Sequence, residues 1–221
     1  MTLIENVSTL LTNRKMDQDS AMDTYMEDRT CLFIDGSSLH SASRSLGFEV
    51  DYRSLLAFFR SRSKLVRAYY YSAMLNTEEY SPLKPLTDWL VYNGYNLVTK
   101  TACEFTDPTG RRRIKGCMDV ELAVDMLEMS PRIDHAILFS GDANFRRLVE
   151  AVQRQGTRVS IVSSLRTDTP ILGDELRRQA DQFIELADIA PQFTRRQAEP
   201  RNHSVPRMSH SDHIAEPIPI L

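Results

Sequence analysis

Three aspartates stand where chemistry could be done. "CLFIDG" is an apolar run that ends on Asp35, "AILFSGD" carries a second such run to Asp142, and Asp119 opens the helical pattern "MDVELAVDMLEM". An unbroken apolar run closed by a turn signal reads as a strand covered on both faces, as in a parallel sheet flanked by helices. Ligands of such sheets bind in the crevice beyond the carboxyl ends of the strands, which makes acids at that edge site candidates. Gly36 and Gly141 beside them let the chain turn out of each strand. A strand-end aspartate can also be the N-cap of the next helix, and an acid in a first helical turn is favoured by the helix dipole. Both roles are open to these residues.

On a helical wheel at about 100° per residue, Val120, Ala123, Val124, Met126 and Leu127 form an apolar arc that includes Asp119. Glu121, Asp125 and Glu128 fall on the opposite, solvated side, with Asp125 at the border of the arc. An inward-facing acid must find hydrogen bonds or a cation, because burying an unpaired carboxylate is costly. If Asp35, Asp119 and Asp142 converge, two carboxylates about 4 Å apart repel by about 4 kcal/mol at an effective dielectric constant of about 20. A hard divalent cation would relieve that repulsion, and with no His or Cys among the acids Mg²⁺ or Mn²⁺ suits better than Zn²⁺. Such an ion acidifies a bound water and neutralises charge on a phosphoryl oxygen, so the expected chemistry is metal-assisted phosphodiester hydrolysis.

The basic residues fit that chemistry. Arg111, Arg112, Arg113 and Lys115 lie in "GRRRIKG", directly before the helix of Asp119, and Arg146 and Arg147 follow Asp142. Guanidinium groups there could hold backbone phosphates, although an Arg-rich hairpin also serves as a solvated edge that resists aggregation. Tyr69, Tyr70 and Tyr71 could stack bases, but alternation along a strand buries at least one ring and makes the run mainly structural.

The elements that must position these residues alternate along the chain. Strands are expected at "TCLFID", "LVRAYYYSAM", "YNLVTKTACEF", "HAILFSG" and "TRVSIVSS", with "TDPTG" as a turn from which "RRRIKG" returns. Helices are expected at "DYRSLLAFFRSRS" with Asp51 as N-cap, "LKPLTDWLVYNG" closed by Gly94, "CMDVELAVDMLEM", "ANFRRLVEAVQRQG" and "GDELRRQADQFIEL". Strands alternating with helices of this length join by right-handed crossovers into a parallel sheet.

At these residues the sequence resembles the NYN domain family, in its LabA-like branch of the PIN-like nucleases, over about residues 30–190. "FIDGSSL" is similar to the family's first-strand motif, "IKGCMDVELAVDML" to its lysine-glycine-x-aspartate helix start, and "LFSGDANF" to its serine-glycine-aspartate motif. The resemblance implies a three-layer α/β fold: a five- or six-stranded parallel sheet with helices on both faces and a small Arg-rich hairpin insertion. It also implies an acidic pocket for Mg²⁺ or Mn²⁺ held by Asp35, Asp119 and Asp142, and cleavage of single-stranded or structured RNA to a 5′-phosphate and a 3′-hydroxyl. Ser38 stands where many relatives carry asparagine, and Asn144 where many carry aspartate. Serine can still donate to a carboxylate or water and asparagine can offer a carbonyl, so both are expected to orient the metal shell, at reduced negative charge and metal affinity. Arg111, Arg112, Arg113, Lys115 and Arg146 would guide the substrate.

The rest of the chain sets the frame. The 221 residues, 42% hydrophobic and 26% charged, suit one domain with tails. Residues 1–28 hold six acids against two bases and read as a flexible acidic leader; 29–193 read as the domain; 194–221, with four of the ten prolines, read as a disordered tail. The middle is neutral overall, so an RNA partner must rest on local clusters rather than a global field. No signal segment or spanning run is present, which gives the expectation of a cytoplasmic protein without membrane contact. Association into a homo-oligomer, or with a protein partner through the tails, fits the same frame. Cys31, Cys103 and Cys117 lack metal-ligand spacing and read as reduced, mostly buried residues.

Other chemistries fit less well. A haloacid-dehalogenase-like phosphatase wants an acid two residues after its strand-end aspartate, where Ser37 stands, and no glycine-x-glycine-x-x-glycine run marks a dinucleotide site. The remaining competitor is a non-catalytic RNA-binding or regulatory domain on the same fold.

Overall fold

The computed structural model describes residues 26–75, 84–106, 112–167 and 172–195, with backbone alone at 74–75, 103–106 and 112–115. The leader and tail therefore lie almost wholly outside the described residues. Seven strands form one sheet: β1 (Arg29–Asp35), β2 (Lys64–Leu75), β3 (Asn96–Thr106), β4 (Arg112–Lys115), β5 (His135–Phe139), β6 (Arg158–Ser163) and β7 (Gln182–Glu185). Their order is β4-β3-β2-β1-β5-β6-β7. Six are parallel, and β4 alone pairs antiparallel, with β3. The described helices are α1 (Gly36–Ser45), α2 (Tyr52–Arg60), α3 (Lys84–Tyr92), α4 (Asp119–Met129), α5 (Arg146–Gln153), α6 (Asp174–Gln179) and α7 (Leu186–Ile189). This is an α/β fold, a largely parallel sheet with helices on both faces, as the alternation of elements implies.

The strand pleat divides the interior in two. Along β1, Leu32 and Ile34 join Leu55, Leu56, Phe59, Leu90 and Phe193 on the face covered by α1, α2 and α3. Cys31 and Phe33 point the other way, to Tyr71, Leu122, Met126 and Val149 under α4, α5 and α6. A strand buried on both sides must be apolar throughout, which explains the unbroken runs of β1 and β5. No helix among the described residues is long and apolar enough to cross a membrane.

The structure departs from the sequence reading in three places. Residues 36–45 form a helix although "GSSLHSASRS" buries only Leu39 and Ala42 among its apolar residues; Asp35 caps it, accepting from Ser37 N and Ser38 N. The expected last helix stops at Gln179, and Gln182–Glu185 pairs with β6 as a seventh strand. The third departure is the face of α4. Leu122 and Met126 are fully buried, whereas Val120 is 69% and Val124 49% exposed. Met118, Leu122 and Met126 recur every four residues, and this row of long side chains is the one that reaches the sheet. Asp119 and Asp125 flank it, and Asp125 accepts a 3.0 Å hydrogen bond from the buried Tyr71 hydroxyl.

At the domain margins, Arg158 Nη2 holds Asp28 at 2.8 Å, and Val50 bridges to Thr194. Arg158 also fixes a buried histidine: its Nη2 lies 3.2 Å from His135 Nδ1, while His135 Nε2 lies 2.7 Å from Ser160 Oγ. Guanidinium can only donate, so Nδ1 accepts and Nε2–H donates to the serine. Burial, and secondarily the Arg158 charge, push the imidazole pKa down to about 3. The unfolded chain then binds a proton that the folded one refuses between pH 6.5 and 3, so stability is full above that window and falls as pH drops into it. Urea denaturation at pH 7, 6 and 5 should show His135→Gln with a shallower loss than wild type, the difference approaching about 1.4 kcal/mol per pH unit. Equal slopes would mean that the imidazole is not held neutral.

Candidate active site

The sheet winds outward in both directions from β1 and β5. Strands β2 and β3 continue to one side, β6 and β7 to the other, so the winding reverses between this central pair. That is the position at which open parallel sheets form their ligand crevice. Ile34 pairs with Phe139, and the residues that follow, Asp35 and Ser140, lie level at the carboxyl edge.

Two serines link the acids there. Asp35 Oδ1 accepts from Ser37 N at 3.0 Å, Ser38 N at 3.4 Å and Ser37 Oγ at 2.8 Å, while Oδ2 accepts from Ser38 Oγ at 2.5 Å. Ser38 Oγ also lies 3.3 Å from Ser140 Oγ, and the backbone N–H of Asp142 donates to Ser140 Oγ at 3.2 Å. A hydroxyl has one proton to give. Ser38 spends its proton on Asp35, so Ser140 donates to Ser38, and the chain of donors runs from Asp142 N through both hydroxyls to the Asp35 carboxylate. Ser140 is 1% exposed. The sequence reading did not single it out, although it opens the quoted serine-glycine-aspartate motif.

Asp142 caps the 3₁₀ turn Ala143–Phe145. Its Oδ1 accepts from Asn144 N at 2.9 Å and its Oδ2 from Asn144 Nδ2 at 3.3 Å. The N-cap role open to both strand-end acids is thus realised, and it does not exhaust them. A carboxylate offers about four lone-pair sites. Asp142 accepts these two hydrogen bonds, and Asp35 keeps capacity on Oδ2. Asn144 approaches Asp142 through its amide nitrogen, which leaves its carbonyl as the group a cation could use.

Asp119 is placed by the segment that precedes it. A Cβ on Gly116 would come within 2.5 Å of Ala73 Cβ and 2.9 Å of Ala102 Cβ, so only glycine lets residues 116–118 lie this close to β2 and β3. Asp119 begins α4 partly exposed, with no side-chain cap at Met118. The exposed Cys117 thiol has its pKa raised by desolvation first, then by its hydrogen bond with Asp119, with smaller contributions from the charges of Asp119 and Asp142. Asp119 and Asp142 therefore act on one local field.

Among the described residues, no three His, Cys, Asp or Glu side chains group closely enough to hold a metal. Asp35 and Asp142 each fold back onto the turn they cap, and Asp119 follows a segment laid against β2 and β3. The donor chemistry still fits a hard cation, since Asp35, Asp142, Ser38 and Asn144 offer oxygen only, and Mg²⁺ commonly takes one or two carboxylates and fills its shell with water.

The basic residues fall into two groups. Arg111 lies outside the described residues; Arg112, Arg113 and Lys115 belong to β4, whose pairing with Cys103–Thr106 extends beyond the last β2–β3 pair, Leu75 with Ala102. The hairpin thus continues past the same sheet edge that carries the acids. Arg146 starts α5 half-buried, and Arg147 is paired with Glu150. Lys100 holds Glu121 Oε1 at 2.9 Å and keeps that carboxyl below its usual range, while Glu121 Oε2 is buried without a partner among the described groups.

The NYN domain profile matches residues 29–187. The Synechococcus elongatus protein named "Low amplitude and bright protein LabA" is 32% identical over 169 residues, 75% of this chain and 87% of that protein. A solved structure from Vibrio parahaemolyticus, of a protein of unknown function, has a TM-score of 0.62 at 22% identity and covers 79% of this chain and 100% of its own. That last likeness is one of fold.

Ser140→Ala should cost about 1–3 kcal/mol, because it leaves the Asp142 N–H without its acceptor and Ser38 without its donor. Urea unfolding of the two proteins at pH 7 measures the loss. An unchanged midpoint would show that the serine relay contributes nothing to the edge.

Proposed function

Because this chain belongs to the NYN domain family of PIN-like nucleases, we propose that it is a Mg²⁺- or Mn²⁺-dependent endoribonuclease acting at the carboxyl edge between β1 and β5. The observation that carries the proposal is the coupling of Asp35 to Asp142 through Ser38 and Ser140 at the reversal of the sheet. Asp35 and Asp142 would hold the ion, with Asn144 offering its carbonyl. Bound there, a divalent cation would acidify a water and offset the charge of a phosphoryl oxygen.

The chain's own residues do the rest. Ser38 fixes the free rotation of Asp35, so that Oδ2 presents one lone-pair direction outward. Asp119, partly exposed at the start of α4, is placed to accept a proton from water or to orient it. Arg146, the β4 residues Arg112, Arg113 and Lys115, and Arg111 just before them in the sequence would supply positive charge for the RNA backbone, which sets position rather than base preference. Attack by water at phosphorus leaves a 5′-phosphate and a 3′-hydroxyl.

A second reading has its own support. The acids are not grouped in threes, and Ser38 and Asn144 are neutral, which favours a domain that binds RNA without cutting it. Incubation of the purified protein with end-labelled single-stranded RNA separates the two. The proposal expects cleavage with Mn²⁺ that stops on chelation, falls by on the order of a hundredfold in Asp142→Asn and by about tenfold or more in Ser38→Ala. Salt-sensitive binding without turnover, or cleavage unchanged in Asp142→Asn, would place the domain in the second class.

A further inference from the structure

Away from the acidic edge, a groove of about 1030 Å³ opens beside α1, α2 and α3. Phe48, Tyr52, Leu86 and Trp89 line it, each packed on the core by one side and half-buried. Arg53 stacks over the Trp89 ring at 6.0 Å, which holds the indole in place. The site proposed for catalysis uses none of these residues.

The charge around the groove disfavours a nucleic acid. Arg44 and Arg195 are opposed by Glu49 and Asp51, and Arg195 lies 3.9 Å from Glu49. A strand of RNA needs a net positive track, whereas an aromatic groove with mixed charge suits an apolar peptide in the polyproline II conformation.

Such a peptide is covalently at hand. The described chain ends at Arg195, whose backbone N–H donates to Glu49 O at 2.9 Å, so the main chain leaves from the wall of the groove itself. Beyond it the sequence runs to "IAEPIPIL", Ile214–Leu221. Pro217 and Pro219 fix their own φ near −65° and bias Glu216 and Ile218 to extended backbone, which lowers the entropy cost of docking. The intervening residues 196–213 can span up to about 60 Å, ample for a return to the groove. Polyproline II backbone has no internal hydrogen bonds, so its carbonyls are open to a donor such as the Trp89 indole N–H.

We infer that the segment Ile214–Leu221 of this chain docks in the groove of Phe48, Tyr52, Leu86 and Trp89. Ile218, Ile220 and Leu221 cover the aromatic wall, and Glu216 matches Arg44 at the rim. Linkage to the same chain raises the local concentration of the segment to the millimolar range, so weak contacts suffice.

Trp89 is the one tryptophan of the sequence and reports on the groove directly. Its emission and acrylamide quenching would be compared in the full chain and in the full chain carrying Ile218→Asp and Ile220→Asp, with far-UV circular dichroism to confirm an intact fold. The expected result is a red shift and stronger quenching in the substituted chain, with the wild-type signal independent of protein concentration. Identical spectra overturn the inference. So does protection that vanishes on dilution, which would assign the segment to a second copy, and so does protection that arises only on adding a single-stranded RNA oligonucleotide.

Discussion

Parallel pairing of Ile34 with Phe139 sets Asp35 and Ser140 side by side where the sheet reverses its winding, and the candidate site depends on that register. A slip of one residue would turn Ile34 and Phe139 to the opposite core and carry Ser140 away from Ser38. The two interiors resist the slip, since both faces of β1 and β5 are filled with side chains that fit one alternation. Packing thus fixes the edge, and the edge fixes which polar groups meet. The hydroxyl relay from Asp142 to Asp35 is the visible outcome.

Capping and ligation draw on the same oxygens. Asp35 holds the start of α1 and Asp142 the start of the 3₁₀ turn, and each gives up lone pairs to do so. Each carboxylate still keeps acceptor capacity beyond its cap. On the proposed function, that capacity would suit a cation that keeps much of its water and completes its shell with a phosphate oxygen. Neutral Ser38 and Asn144 soften the field further, which on the proposed function would make the site more dependent on the charge of an RNA backbone.

Much of this was legible in the sequence. Unbroken apolar runs marked β1 and β5, the stretches "LVRAYYYSAM" and "TRVSIVSS" marked β2 and β6, and Asp51 and Gly94 marked helix ends where the structure has them, Gly94 with φ of +91°. The motifs around Asp35, Asp119 and Asp142 pointed to the family. The misses have physical reasons. Strand β7 has four residues within a stretch that reads as helical, and only pairing with β6 makes it a strand. Helix α1 has few apolar residues and depends on its aspartate cap. On α4 the wheel weighted Val120 and Val124 by hydrophobicity, whereas the sheet selected Leu122 and Met126 by position and reach. Ser140 reads as the end of an apolar run, and its importance appears only when β1 lies beside it.

On the proposed function, Asp35 and Asp142 together hold the divalent cation, with Asp119 acting beside it. Titration of Mn²⁺ into the full chain by calorimetry, repeated for Asp35→Asn, Asp142→Asn and Asp119→Asn, tests this without reference to turnover. The account predicts that binding is lost in the first two variants and retained, at weakened affinity, in the third. Mn²⁺ affinity that survives in both Asp35→Asn and Asp142→Asn would contradict it.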